Sequence, residues 1–305
     1  MTNTTNLTPP DYRCGTAAVV GRPNVGKSTL VNALVGQRIS IVGPKPQTTR
    51  HRILGIVTRT AGQILLIDTP GLHHGGGQAM NRQLNRAARQ ALSDADVILH
   101  LVEAGRWTDE DEAVWKALAE TPGKRLLAIN KVDAQKDKKQ LLPYIAKVNA
   151  MHAYDGVYLV SAQRRDGLAD LEQAIIARLP VAPPVFGEED ITDRSERFLA
   201  GELVREQVML RLSQELPYAA AVEIESFVES EDGRAQINAV IWVEREGQKG
   251  IVIGAGGAQL KAIGSAARLS IEKVLGRRVF LQLWVKVREN WSDNEAALRQ
   301  FGYEE

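Results

Sequence analysis

Gly21-Arg22-Pro23-Asn24-Val25-Gly26-Lys27-Ser28 lies between an apolar run, Thr16 to Val20, and a helical pattern, Thr29 to Leu34. A strand before and a helix after is the context a phosphate-binding loop demands. Its backbone N–H groups cradle phosphate, Lys27 reaches the β and γ groups, and the Ser28 hydroxyl holds magnesium. Asn24, Val25, Gly26 and Thr29 complete the expected cradle. Alone, the loop also suits an ATPase or a kinase. Three further segments decide: Asp68-Thr-Pro-Gly71 after Ile64 to Ile67, Asn130-Lys-Val-Asp133 after Arg125 to Ile129, and Ser161-Ala162 after Val157 to Val160. Each sits at the C-terminal end of an expected strand, which is where ligands bind in open α/β sheets. Asp133 can accept hydrogen bonds from the ring N–H and exocyclic amine of guanine, whereas adenine offers no ring donor. Asn130, Lys131, Asp133, Ser161 and Ala162 are therefore the expected base site, and the ordered set specifies a guanine nucleotide switch.

Strand-like and helix-like segments alternate from the loop to about residue 179, implying a mostly parallel, helix-covered α/β sheet. The proline-rich stretch Pro180-Val-Ala-Pro-Pro-Val-Phe-Gly187 and the acidic tract that follows break this rhythm. The expected division is a nucleotide domain over 1–182, a linker over 183–194 and a second α+β domain over 195–305. In that second domain a helix from Arg197 precedes strands Ala220 to Val228 and Ala235 to Glu244. A Gly-rich segment over 250–257, a helix from Ala258 and a strand Val279 to Val287 follow.

Composition is that of an ordinary globular chain, 44% apolar and 25% charged over 305 residues. A single cysteine, Cys14, excludes an intramolecular disulfide framework and a thiolate metal cluster. With neither a signal-type apolar core at the N-terminus nor an apolar run near the ~20 residues that span a bilayer, a cytoplasmic protein is expected, and a monomer is the expected state. The net charge of +1 hides an asymmetry: 23 basic against 16 acidic residues up to Ala182, and 15 against 21 beyond. Yet between Gly247 and Arg288 eight basic residues face Glu272 alone, an electrostatic footprint for polyanions.

Hydrolysis of a γ-phosphate needs charge neutralisation and an aligned water. Ser28 is the direct magnesium ligand by motif position, Asp68 an indirect one through water, and the Gly71 N–H the γ-phosphate contact. A second hydroxyl ligand is expected from Thr48 or Thr49, with Thr49 preferred. Leu72 stands where many small GTPases have a water-orienting Gln and can neither donate nor accept a hydrogen bond. Slow intrinsic hydrolysis is the consequence. His73 and His74 read as part of a solvated loop beside Gly75-Gly-Gly77 rather than as catalytic groups.

The blocks Glu196 to Leu199, Glu215 to Tyr218, Val252 to Gly264 and Leu283 to Val287, with Gln47-Thr-Thr-Arg-His-Arg52 and the nucleotide motifs, resemble the Era family of bacterial ribosome-assembly GTPases over nearly the whole chain. That resemblance implies a C-terminal type II KH domain whose Gly-x-x-Gly loop, Gly254-Ala255-Gly256-Gly257, clamps nucleic-acid backbone. No lysine lies within this loop, so Lys249, Lys261, Arg277 and Arg278 are the expected phosphate contacts. It further implies binding to the 3′ end of 16S ribosomal RNA in the 30S subunit, control by GTP and GDP, a potassium ion at Asn24 and peripheral association with the inner membrane. An RNA-binding scaffold with a vestigial nucleotide domain, or a GTPase whose basic surface meets a membrane or protein, are the alternatives.

Overall fold

The computed structural model describes residues 9–43, 45, 48–69, 79–135, 137–212, 216 and 218–303. Gly71, Leu72, His73 and His74 lie outside the described residues, as does Gln47.

The described residues form two compact units. In the first, strands β1 (Arg13–Val20), β2 (Ile53–Arg59), β3 (Gly62–Asp68), β4 (Val97–Glu103), β5 (Lys124–Asn130) and β6 (Gly156–Leu159) make one sheet in the order β2-β3-β1-β4-β5-β6. Only β2 runs antiparallel to its neighbour; the other pairs are parallel. Every residue of β3 and nearly every one of β4 is buried, the pattern of strands covered on both faces. Helices α1 (Lys27–Val35), α3 (Asp109–Ala119), α4 (Leu141–Met151) and α5 (Leu168–Ile176) connect the strands. Between α1 and α3, helix α2 (Ala79–Ser93) follows β3.

The proline-rich segment is not a loose tether. Ala182 N–H donates to Tyr12 O and Ile56 N–H to Ile191 O. Gln63, fully buried, accepts from the Val185 and Phe186 N–H groups at 2.8 and 3.0 Å and donates to Phe186 O at 2.9 Å. These bonds pair the N–H groups of Ala182, Val185 and Phe186, and the first compact unit runs to Asp193, taking in most of the segment 183–194.

The second unit contains α6 (Glu196–Arg211), β7 (Ala221–Glu229), β8 (Ala235–Val243), α7 (Glu246–Ile253), α8 (Ala258–Leu275), β9 (Val279–Val287) and α9 (Glu295–Gln300). Its sheet, β7-β8-β9, pairs the first two strands antiparallel and the last two parallel. Val204 and Val208 of α6 and Ile263, Ala267 and Ile271 of α8 pack on the alternate residues Ile237, Ala239 and Ile241 of β8. Helix α7 is absent from the sequence expectation because Gly247 and Gly250 oppose helix formation. Gln248 offsets that cost: its Oε1 accepts from the Glu244 and Arg245 N–H groups at the helix start. Two stretches from earlier in the chain belong to this unit: Arg38–His51, and the beginning of α2 up to Ala87. Among the described residues no helix is long and apolar enough to cross a membrane.

Candidate functional site

In the first unit, β1 ends at Val20 and α1 begins at Lys27, with Gly26 at φ 103° and Asn24 at φ 63° turning the chain between them. No side chain caps α1, so its first N–H groups face the loop as an anion site. Lys27 is buried and donates to Gly21 O at 2.9 Å and Arg22 O at 3.0 Å. Burial lowers its pKa to about 8, against the opposing pull of the Asp68 carboxylate. Val25 is fully buried, Ser28 and Thr29 half-buried on the first turn, and Asp68 fully buried at the end of β3.

Asn130 joins the motifs. Its side chain is 2% exposed; Nδ2 donates to Val25 O at 2.8 Å and Oδ1 accepts from the Ala162 N–H at 3.0 Å. A Cβ on Gly26 would stand 2.5 Å from Asn130 Nδ2, so only glycine fits there. The residue expected at the base therefore holds the phosphate loop and the Ser161-Ala162 loop in register. Lys131, itself at φ 62°, donates to Asn24 O at 2.9 Å. Asp133 Oδ1 accepts from the Ser161 hydroxyl at 2.6 Å, and Arg164 lies 3.7 Å from Oδ2. The Ser161 bond, aided by Arg164, lowers the Asp133 pKa and keeps an ionised acceptor ready. Sequence reading does not mark Arg22 or Glu103, yet Arg22 pairs with Glu103 at 2.8 Å and Asp111 at 3.1 Å, while Lys131 reaches Glu103 at 3.4 Å. Arg22 lies inside the phosphate loop but at a position the motif leaves variable, and Glu103, at the end of β4, belongs to no motif.

Thr48 and Thr49 fall in the second unit, on the segment Arg38–His51. Thr49 is buried; the Thr48 hydroxyl donates to Lys45 O at 2.6 Å and its carbonyl accepts from Arg205 at 2.5 Å. Arg50 donates to Ala220 O and Tyr218 O, both at 2.9 Å. Arg205 forms a two-armed pair with Glu202 at 2.7 Å on each arm. Burial pushes the Glu202 carboxyl up, but Arg205 outweighs it and leaves the group below its ordinary value. Burial likewise lowers His51 to about 4. Arg38 pairs with Glu206.

The Gly-x-x-Gly segment joins α7 to α8. Gly254 (φ 72°) brings a would-be Cβ within 2.7 Å of Gln259 Cβ, and Gly256 and Gly257 have φ of 56° and 80°. Ala255 is exposed. Beside the loop, an open groove of about 320 Å³ lies between α8 and β9, lined by Leu260, Lys261, Gly264, Ser265, Arg268, Leu281 and Leu283. Lys261 lines this groove, and Lys249, on α7, lies 3.6 Å from Glu246. Arg277 and Arg278 do not line it: α8 spans 18 residues, so they sit at its far end, about 27 Å from the loop. Arg277 is held by Glu196 and by Glu229 at 3.4 Å. Arg268 was legible as part of the basic stripe and Leu283 as part of the resembling block, whereas Ser265 and Leu281 were legible only as helix and strand periodicity.

A family model described as 50S ribosome-binding GTPase matches residues 16–131, and a KH domain model matches 215–292. GTPase Era of Stenotrophomonas maltophilia strain R551-3 is 57% identical over 294 residues, 96% of this chain and 98% of that one. GTPase Era of Xanthomonas oryzae pv. oryzae strain MAFF 311018 is 55% identical over 300 residues, 98% and 100% of the two chains. The chain belongs to the Era GTPase family. A crystal structure of Era in complex with MgGDPNP and nucleotides 1506–1542 of 16S ribosomal RNA superposes with TM-score 0.92 at 36% identity, covering 96% of this chain and all of that one. Aquifex aeolicus Era bound to GDP and tetrafluoroaluminate gives 0.91 at 37% with the same coverage. The Era fold accounts for both units, the mostly parallel sheet and the KH region alike.

Asn130→Ala leaves Val25 O and the Ala162 N–H without their partner, each worth about 1–3 kcal/mol when buried. Both the unfolding midpoint in urea and GDP affinity are expected to fall, the latter by at least about tenfold. A lowered midpoint with unchanged GDP affinity would show that the two loops do not depend on this amide.

Proposed function

We infer that this chain binds GTP and GDP, hydrolyses GTP slowly, and binds the 3′ end of 16S ribosomal RNA through its KH unit to assist maturation of the 30S subunit. The observation that carries the nucleotide half is Asp133, an ionised carboxylate oriented by Ser161 beside a loop locked by Asn130. The RNA half rests on the Gly-x-x-Gly turn and the groove it borders, together with the relative whose complex holds 16S nucleotides.

Ser28 and Asp68 offer hydroxyl and carboxylate oxygens only, a hard donor set that suits Mg²⁺. That ion, when bound, neutralises charge developing on the β and γ oxygens. Lys27 and the α1 N–H groups bind the same oxygens, while Asp133 fixes the base. Leu72 offers no hydrogen bond to the attacking water, which is why slow turnover is expected. Asn24, exposed and in the left-handed region, presents an amide oxygen for K⁺, whose charge beside the phosphates would serve where other GTPases use an arginine finger.

A physical route for nucleotide control runs through the chain itself. Thr49 is followed directly by Arg50 and His51, which are buried in the second unit against α6 and the C-terminal segment. Ala79, Met80 and Leu84 of α2, the helix after the Asp68 motif, pack there with Trp291, Leu298 and Phe301. Ordering and release of such segments is a recognised switching mode.

Asp133→Asn swaps an acceptor for a donor, so GTP affinity should collapse while xanthosine triphosphate binds better; nucleotide titration with both triphosphates decides. Exchanging sodium for potassium at constant ionic strength should raise turnover in the parent chain and not in Asn24→Ala. Equal phosphate release in both salts would reject the potassium assignment.

The double variant Ala255→Asp/Gly256→Asp sets carboxylates where RNA phosphate approaches, and RNA binding should weaken severely with GDP affinity retained. Lys261→Glu should act more mildly and flatten the salt dependence, since each lost phosphate contact reduces counterion release. Unchanged RNA affinity in the double variant, with binding to anionic vesicles instead, would move the basic surface to a membrane partner.

A further inference from the structure

The face of the KH sheet turned away from α6 and α8 carries a pattern that the groove does not use. Among the described residues strand β9 is the sheet edge, paired with β8 alone. Its odd residues, Val279, Leu281, Leu283 and Val285, join the core on the helix side. Its even residues point the other way and are exposed, Phe280 by 54% and Trp284 by 42%. Arg278 before the strand and Arg288 after it continue the same phase, giving basic, aromatic, amide, aromatic, basic, basic in sequence: Arg278, Phe280, Gln282, Trp284, Lys286, Arg288.

Neighbours on β8 extend the pattern. Register sets Gln236 beside Phe280 and Asn238 beside Gln282. Phe280 and Trp284 stand about 13 Å apart along the strand with the Gln282 amide between them. Toward the other end the face is closed, because Lys286 lies over Trp242 at 5.6 Å and bonds Glu225 at 2.6 Å, and Arg288 lies over Phe301 at 5.4 Å. Glu223, on β7, accepts from Trp242 and Gln300.

Two exposed rings separated by side-chain amides on an open sheet face are a stacking platform for unpaired bases. Exposed Arg278 at the open end favours a polyanion, and cations stand at both ends of the strand. They also oppose edge-to-edge pairing with a second sheet through like charge. Leu281 and Leu283 of the same strand line the groove, and among the described residues no strand lies beyond β9, so one strand's thickness separates the two surfaces.

We propose that the outer face of β9 is a second single-stranded RNA site, in which bases stack on Phe280 and Trp284 and Arg278 meets phosphate. RNA leaving the groove turns around the β9 edge onto this face, so the chain holds a longer segment than the roughly four nucleotides a Gly-x-x-Gly clamp takes. The path, though not the platform itself, rests on the reading of the groove as an RNA site.

The test uses the full chain and random-sequence single-stranded RNA of about 6 and about 15 nucleotides, in fluorescence anisotropy. Phe280→Ala/Trp284→Ala should lose at least about tenfold in affinity for the longer RNA, with about twofold change or less for the shorter. Trp284→Phe, which keeps a stacking ring, should restore most of the loss in the Trp284→Ala single variant; Arg278→Ala should lower the salt slope for the longer RNA only. Equal loss at both lengths would overturn the proposal and make the face a support of the groove. No loss at either length would overturn it too, as would a loss confined to self-association or to binding of phosphatidylglycerol vesicles. The Ala255→Asp/Gly256→Asp variant separates the two readings: if it still binds the shorter RNA, the groove reading fails whatever Phe280 and Trp284 do.

Discussion

The nucleotide unit depends on one buried amide. Parallel strands deliver β1, β3, β5 and β6 to a common sheet edge, but loops leaving that edge have no ladder partners and must find bonds elsewhere. Asn130 supplies them to two loops at once, donating to Val25 O and accepting from the Ala162 N–H. Gly26 is the counterpart of that geometry, since any side chain there would occupy the space of the amide. With the loops fixed, no side chain caps the N–H groups at the start of α1, and Ser161 orients the Asp133 carboxylate.

A different constraint governs the second unit, where charges are buried rather than loops clamped. Arg50 and Arg205 are nearly inaccessible, and uncompensated burial of either would cost several kcal/mol. Carbonyl groups receive Arg50, and Glu202 receives both arms of Arg205. Such an arrangement is specific in geometry even where it adds little net stability. It ties the chain around Thr49 to α6.

Placement of the basic residues shows how a linear stripe divides when folded. Lys261 and Arg268 follow the α8 periodicity into the groove, and Arg278 follows the alternation of β9 to the outer face. Arg277, one residue earlier, is drawn into ion pairs with Glu196 and Glu229. Neighbours in sequence thus meet different surroundings because a strand sends successive side chains to opposite faces.

The sequence by itself determined the order of strands and helices in the nucleotide unit, the phosphate loop, the base motif and the Gly-x-x-Gly turn. Each is written in local terms: apolar runs of strand length, glycines where φ must be positive, and polar residues at strand ends. Strand β9, Val279 to Val287, was legible to the residue because its alternation is undisturbed. Helix α7 was not, since its stability comes from the Gln248 bonds and core packing rather than from propensity. Only the tertiary structure decided that Asn130 clamps loops, that the proline-rich stretch is bonded to Gln63, that Arg38–His51 folds with the C-terminal unit, and which face each basic residue takes. Those outcomes rest on contacts between residues tens to hundreds of positions apart, and neither periodicity nor motif spacing encodes such pairings.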